Sequence, residues 1–532
     1  MNDGLKVIIA IIMSITFALT LAHFTIPQQP QSQLRVTGSG DSCGTLSTPN
    51  TIYTLTQNVS STGTCFTVTA SNVTLDCNGF TVNYSGTTTG YGVYANSANN
   101  FTVKNCFVNQ TNASTAIKNA HAIYFYNSNY STVYNNSVLT VGGTGSGTTE
   151  ETNNYGAYIY WSDWTNVTNN TIKTNGSRGH GFRSEYSNNA TIASNNITTH
   201  DYGAYALWNK YSNSTTLLSN NLTTYSRLGY GLFLHRCINN TITGNQINTS
   251  QVSGWALYFE DATNNTAVDS FFNAISTADV RSYGAGINHL LNTTFNKSDT
   301  LFAAASTAVL NVSWYVSVYV NDTAGNPFPA ATVSVKNING TTVASGLTNA
   351  TGWVDFNVTE YTQNITGIYN ETPHNITATF GIISNYSSAT FDSSKTVTIT
   401  VPPIVTTITG AFLNATRIAT TCNQTNWKDL NKVIQHVNQT VDYGVMNITN
   451  AGNVVLNISM RLNNSIGSLR LCAGSTWLDG NCSNASAVFL NGSYQVIGSI
   501  NVGASSMYWF WLNCSNEKVS RSYSVQVNGS AA

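Results

Sequence analysis

The chain has 532 residues, of which 41% are hydrophobic and only 8% charged, with a formal net charge of -1. That length spans about two to four domains, and the near-neutral balance excludes the basic footprint that nucleic-acid binding requires. Abundant Asn, Ser, Thr and Tyr would suit a low-complexity chain, but apolar residues recur here too regularly for disorder.

Residues Val7 to Ile26 form an apolar run of about 20 residues, which fits a signal peptide or a membrane-spanning anchor. Cleavage near Thr20-Leu21-Ala22 and retention as an N-terminal hydrophobic helix are both open for residues 1–26, and either exports the rest of the chain. Residues 27–41, with Gln28, Gln29, Pro30 and Gln31, read as a polar stalk. Cys43 to Thr64 is expected to cap a solenoid, because an open solenoid end exposes unpaired strand edges.

From Tyr155 to Phe272 the sequence repeats with a period of about 25 residues. Four aligned copies start at Ala157, Phe182, Leu207 and Leu232, and a looser one at Leu257. One apolar column reads Val93, Ile123, Ala157, Phe182, Leu207, Leu232, Leu257, and a second Leu75, Val103, Val133, Val167, Ile192, Leu217, Ile242. A third reads Phe80, Val108, Val138, Ile172, Ile197, Leu222, Ile247, Phe272. Three inward columns per period, each on a short strand, describe a triangular coil stacked on copies of itself. Residues 42–302 are therefore expected to form a parallel β-helix. Thr74, Thr102, Thr132, Thr191, Thr216, Thr241 and Thr266 precede the second column, and Asn78, Asn136, Asn170, Asn195, Asn220 and Asn245 stand three residues after it. Asn suits a tight turn between strands, and stacked Asn and Thr can bond to one another up the helix. The run Val141 to Thr152 enlarges one coil with a flexible Gly/Thr loop.

From Trp314 the pattern becomes alternating strands between Gly, Asn and Pro turns, about seven in all, which fits a β-sandwich over residues 303–403. Residues 404–532 read as a second, disulfide-stapled sandwich, with a short helix or lid between Trp427 and Val437. The fold class is all-β, a parallel β-helix followed by two sandwiches.

The cysteines look extracellular. Cys43 and Cys65 bracket the N-terminal segment, and Cys77 and Cys106 fall in nearly equivalent columns of adjacent coils, where a bridge is geometrically reasonable. Cys472 and Cys482 could close a short loop, leaving Cys422 with Cys514 and Cys237 as a buried small hydrophobe. No CxxC pair suggests zinc, and no metal site is assigned. Asn-x-Ser/Thr sequons number about forty, where chance predicts fewer than about twenty. The excess continues past Phe302, at Asn321, Asn349, Asn375, Asn414, Asn457 and Asn491, where no repeat explains it. A densely N-glycosylated exported protein is the better reading.

At Cys65 to Val82 (CFTVTASNVTLDCNGFTV) and the later N-x-T-I-x-x-N-x-I coils, the chain resembles right-handed parallel β-helix proteins. These are of the pectate-lyase-like, NosD-like repeat type found in exported archaeal surface proteins. The resemblance covers about half the chain. The stretch VYVNDTAGNPFPAATVSV…GLTNATGWVDFNV similarly looks like a carboxypeptidase-regulatory or bacterial Ig-like module. The resemblance implies a surface-attached carbohydrate binder, a carbohydrate-active enzyme or an adhesin, and the fold does not choose among them.

Gly179-His180-Gly181 is similar to the Gly-His-Gly of polygalacturonase-like hydrolases, but the coil upstream offers only Asp163 and no Arg-x-Lys comes after it. A glycosidase needs two carboxyl groups facing one cleft. His180 also continues the column Tyr91, His121, Tyr155, Tyr205, Tyr230, Trp255, where ring-sized residues recur for structural reasons. Lyases of this fold use an Arg or Lys base beside a calcium-binding acidic cluster. The nearest analogue is the outward column Glu185, Lys210, His235, Glu260, flanked by Arg183, Arg236 and Asp261, for which a ladder of surface ion pairs is the plainer reading. Calcium is the one cofactor such a column would take. The best candidate for ligand binding is the outward column Tyr94, Tyr124, Tyr158, Arg183, Trp208, Phe233, Tyr258, whose aromatic faces suit sugar rings or a protein partner. The leading expectation is a surface glycoprotein that binds a glycan or a neighbouring surface protein. Alternatives are a polysaccharide lyase or glycoside hydrolase, and an S-layer-like envelope component. A retained residue 1–26 segment would add membrane contact.

Overall fold

The computed structural model describes residues 37–39, 42–114, 117–142, 153–275 and 278–404, and, from 408 to 531, mainly strands. It divides into two units, 1–288 with 293–308, and 289–292 with 309–532.

The first unit is a parallel β-solenoid. Each coil contributes one short strand to each of three sheets. The first sheet runs through eleven strands, from Gly44–Leu46 to Thr300–Phe302. The second carries strands such as Thr102–Lys104, Thr191–Ala193 and Thr266–Val268, and the third runs through nine, from Val59–Ser60 to Phe271–Ala274. Every pair within this stack is parallel and in register, Leu207 opposite Phe182 and Leu232, for example. Short strands with one inward residue at a fixed place cannot slip without turning that residue outward, so the apolar columns themselves hold the register.

The first two apolar columns lie fully inside. The third starts at Val82 rather than Phe80, because strand Thr81–Tyr84 sets Val82 opposite Val108 and buries it. The expected cap is itself a coil: Gly44–Leu46, Ile52–Thr54 and Val59–Ser60 each pair in parallel with the next coil. The Cys43–Cys65 and Cys77–Cys106 bridges both form between successive coils, with Cα atoms 4.6 and 4.7 Å apart.

The asparagines do two different jobs. Asn136, Asn170, Asn195, Asn220 and Asn245 are buried, and each of the first four donates to the next. Asn170 Nδ2 donates to Asn195 Oδ1 at 3.0 Å, Asn195 to Asn220 at 3.0 Å and Asn220 to Asn245 at 2.9 Å. The turn itself is made by the residue before each, Asn135, Asn169, Ser194, Ser219 and Gly244, at positive φ. Asn78 is one of these turn residues, at φ 47, and the foot of the buried column is the Cys77–Cys106 bridge, with the Cys106 N–H donating to Asn136 Oδ1.

In the second unit, the 14-residue strand Val309–Asp322 lies antiparallel to Trp353–Asn364 and parallel to Lys395–Val401, with Gly367–Asn370 at the edge. A four-stranded antiparallel sheet orders Thr342–Leu347, Thr332–Lys336, His374–Phe380 and Ile383–Ala389. Alternate residues, including Val316, Val318, Val333, Val335 and Ile376, are buried, as period-two patterning requires. The C-terminal segment is also antiparallel strand, Met446–Asn450 with Ser505–Asn513 and Leu456–Leu462 with Gln495–Ile500 and Val525–Ala531. The helix expected from Trp427 is a strand at its start, since Trp427–Asp429 pairs with Trp511–Asn513. The backbone partners offered by that strand outweigh a weak helical pattern. Residues 1–36, 143–152 and 430–437, with Cys422, Cys482, Cys514 and the side chain of Cys472, lie outside the described residues. Among the described residues the only helix is a single turn, Lys297–Asp299, and none is long and apolar enough to cross a membrane.

Candidate functional site

The first sheet carries the site because parallel, in-register strands stack like side chains about 4.8 Å apart, close to the contact distance of aromatic rings. Tyr94, Tyr124, Tyr158, Arg183, Trp208, Phe233 and Tyr258 succeed one another in unbroken register. Ring centres lie 5.2 Å apart for Tyr94–Tyr124, 5.1 Å for Tyr124–Tyr158, 5.7 Å for Trp208–Phe233 and 4.6 Å for Phe233–Tyr258. Arg183 fills the break between Tyr158 and Trp208, its guanidinium 5.1 and 4.1 Å from the two ring centres.

A second stack runs beside the first, at the corner where each coil enters the sheet. His121, Tyr155, His180, Tyr205, Tyr230 and Trp255 stack at 4.4 to 5.0 Å. The two stacks meet edge to face, Tyr155 on Tyr158 at 5.5 Å and His180 on Trp208 at 5.1 Å. The flat faces expected to be free are thus covered by neighbouring rings, and Phe233 and Tyr258 are buried. What this column presents to a ligand is ring edges, hydroxyls and Arg183.

At the break lies a cleft of about 410 Å³ lined by Tyr155, Arg178, Arg183, Tyr205, Trp208 and Tyr230 among others. Arg183 Nη1 donates to the Tyr155 hydroxyl at 2.8 Å and Nη2 to Glu185 Oε2 at 2.5 Å. Arg183 Nε and Trp208 Nε1 are buried and have no hydrogen-bond partner within the protein. Each such donor costs its full desolvation when left unpaired, and Arg281 Nε, on the next strand after Tyr258 and over the Trp255 ring, is a third in the same column. Burial raises the Tyr155 and Tyr205 phenols, so both stay protonated.

The charged column also forms in register, Glu185 beside Lys210 beside His235 beside Glu260. Glu185 accepts from Lys210 Nζ at 2.8 Å, from the Tyr158 hydroxyl at 2.9 Å and from Arg183. Burial pushes its carboxyl up, but the Lys210 hydrogen bond, the Arg183 charge and the Tyr158 hydroxyl together hold it below the usual range. A carboxylate held this way is a poor proton donor. Arg236 and Asp261 form an exposed pair at 3.4 Å. Lys210 and Arg183 already neutralise Glu185, and among the described residues no group of three or more His, Cys, Asp or Glu gathers to hold a metal ion.

His180 Nδ1 accepts the Tyr205 backbone N–H at 3.0 Å, and burial, then the Arg183 charge, hold the ring neutral. Both glycines of Gly179-His180-Gly181 have packing reasons: a Cβ on Gly181 would stand 2.2 Å from Ile197 Cγ2, and one on Gly179 3.0 Å from the Asn154 carbonyl. Cys237 is buried, its thiol pushed up to about 12 by burial, and it is no nucleophile.

One feature is missed by sequence reasoning. Tyr130, Trp161, Trp164 and Tyr186 stand in the turn after the first sheet at positive φ, 61%, 52%, 54% and 42% exposed. Bulky residues are disfavoured in that backbone conformation, which neighbouring coils fill with Asn or Ser at Asn127, Asn100 and Ser97. Tyr130 lies parallel to Trp164 within 8°, at 6.4 Å. The signal was available as two Trp residues breaking Asn/Ser columns. Arg178 and Tyr202, also in the cleft wall, had no periodic signal.

Residues 146–295 match the family model described as the right handed beta helix region. Among solved structures, the chain is similar to a DFA-IIIase from Arthrobacter chlorophenolicus A6 in complex with GF2 (9% identity, 51% of this chain and 82% of that one, TM-score 0.36). It is also similar to the Dettilon tailspike protein (10% identity, 90% and 87%, TM-score 0.37). A Streptococcus pneumoniae surface protein and adhesin, PfbA, matches at 10% identity over 53% and 89%, TM-score 0.33. No curated protein sequence matches the chain.

Proposed function

We propose that this is an exported surface glycoprotein whose solenoid binds carbohydrate in the cleft beside Arg183. The observation that carries the reading is the pair of unpaired buried donors, Arg183 Nε and Trp208 Nε1, on the wall of a cleft edged with tyrosine hydroxyls. A sugar supplies the acceptor oxygens those donors lack, and its C–H faces suit aromatic edges. The inter-coil disulfides agree with an oxidising compartment. Residues 1–26 would then act as signal or anchor, and the two strand-rich segments after residue 303 as Ig-like or carboxypeptidase-regulatory-like modules.

Turnover is the second reading, as a polysaccharide lyase or glycoside hydrolase using Glu185, Lys210, His235 or Glu260. It is disfavoured by the three bonds that engage Glu185. A glycan-array screen of residues 28–532, with reducing-end product assayed in the same wells, separates the readings. Retention without product, lost in Trp208→Ala, supports binding. Product that disappears in Glu185→Gln replaces it with catalysis. Silence in both channels, with ordered self-association, points to an envelope component or a protein partner.

A further inference from the structure

Eighteen sequon asparagines lie in the solenoid between Asn58 and Asn264, and the fold sorts them. None is buried. The buried asparagines of the inter-coil ladders, Asn136, Asn170, Asn195, Asn220, Asn245 and Asn265, begin no sequon at all. The same residue type therefore divides cleanly between a ladder that cannot be modified and a surface set that can.

The surface set is also sorted by face. Eight stand where the chain enters the second sheet, such as Asn72, Asn189, Asn239 and Asn264, and two where it leaves, Asn135 and Asn169. Seven lie on or beside the third sheet, Asn196 and Asn221 among them, and Asn112 stands in a corner of a coil that does not line the cleft. None lies in any strand of the first sheet, and none in the corners 176–181, 201–206 and 225–231 that wall the cleft. Repetition of a turn motif accounts for Asn at one corner. It does not account for sequons on the third sheet together with their absence from the first.

We infer that the solenoid carries N-linked glycans on its second and third sheets and leaves the first-sheet face bare. A sugar coat shields backbone and side chains from proteases and from association, and a face that must admit a ligand has to stay outside it. The bare face is the one with the aromatic stacks, Arg183 and the cleft, and its role as the open face rests on the carbohydrate-binding reading. The coat itself does not.

Glycopeptide mass spectrometry of the full chain from its own cells tests the coat. Modified peptides at Asn189, Asn239 and Asn221, with unmodified peptides across the first-sheet strands, are expected. Solenoid peptides without sugar, or sugar on the ladder asparagines, would overturn it. The bare face is tested by Tyr160→Asn, which completes a sequon with Trp161 and Ser162 on the outer face of the first sheet, against Tyr160→Gln, which does not. With the new site occupied, glycan retention should fall at least tenfold relative to Tyr160→Gln. Equal retention would overturn the need for a bare face. Absence of retention in the unaltered chain would count against the binding reading alone, since the coat is decided by the mass spectrum.

Discussion

The guanidinium of Arg183 lies 4.1 Å from the centre of the Trp208 ring in the next coil, and takes the place an aromatic ring holds in the coils on either side, at Tyr158 and Trp208. An arginine can replace a ring in the stack because its planar cation lies on aromatic faces, but it also brings a fork of donors that a ring does not. Arg183 uses two of them on Tyr155 and Glu185, and its buried Nε has no partner within the protein.

Trp208→Phe keeps the stack between Arg183 and Phe233 and removes the Nε1 donor. Glycan affinity is expected to fall about tenfold, about 1.4 kcal/mol, with Tm nearly unchanged. Arg183→Lys should weaken binding more, because it loses the planar fork as well as the stack. Isothermal titration beside thermal melting checks both, and a variant that loses Tm in step with affinity would refute a direct contact.

Glu185 makes stability fall in acid. Its carboxyl is held below the ordinary range in the folded chain, so its contribution is present above the unfolded value and is lost as pH drops through the folded one. Melting temperature of the first unit should therefore decline below about pH 4, and Glu185→Gln should flatten that decline while lowering Tm at neutral pH. An unchanged acid limb in the variant would show that the pairing with Lys210 and Arg183 carries no linkage.

The two histidines of the corner stack, His121 and His180, act over a higher window. His121 is pushed down to about 3, first by burial and then by the Arg183 charge, and the unfolded ring binds its proton near pH 6.5. Between those values the unfolded chain holds more protons, so stability rises with pH and is fully present only above about pH 6.5. His121→Tyr places in the stack the residue type found at Tyr155, Tyr205 and Tyr230. The slope of Tm between about pH 6.5 and pH 4 should become shallower.

Asn195 links three coils, accepting from the Asn170 backbone and side chain and donating to the Val167 carbonyl and Asn220. Asn195→Ala leaves buried groups on both neighbours unpaired, at a cost of roughly 3 kcal/mol. The exposed Asn196→Ala should cost under about 0.5 kcal/mol. Urea unfolding of the pair gives the difference, and equal midpoints would mean that the ladder does not stabilise the stack.

The winding was legible because it is a one-dimensional problem. A side chain that points inward on one coil must point inward on the next, so Leu207, Leu232 and Leu257 declare their column whatever else the chain does. The Cys77–Cys106 bridge was legible for the same reason, since equivalent columns in adjacent coils are close, whereas Cys43 and Cys65 were paired only because they bracket the N-terminal segment. The foot of the third column at Val82 rather than Phe80 was harder, because the first coils differ in length from the later period.

The solenoid, its in-register columns and the membership of the aromatic and charged rows are written in the order of the residues, because each comes from a repeat and the strand period. What those rows offer is a property of the folded molecule. Folding turned ring faces toward each other, tied up Glu185 and placed the corner stack against Arg183 to open a cleft. Those outcomes depend on rotamers and on distances between columns far apart in the repeat, which periodicity does not encode.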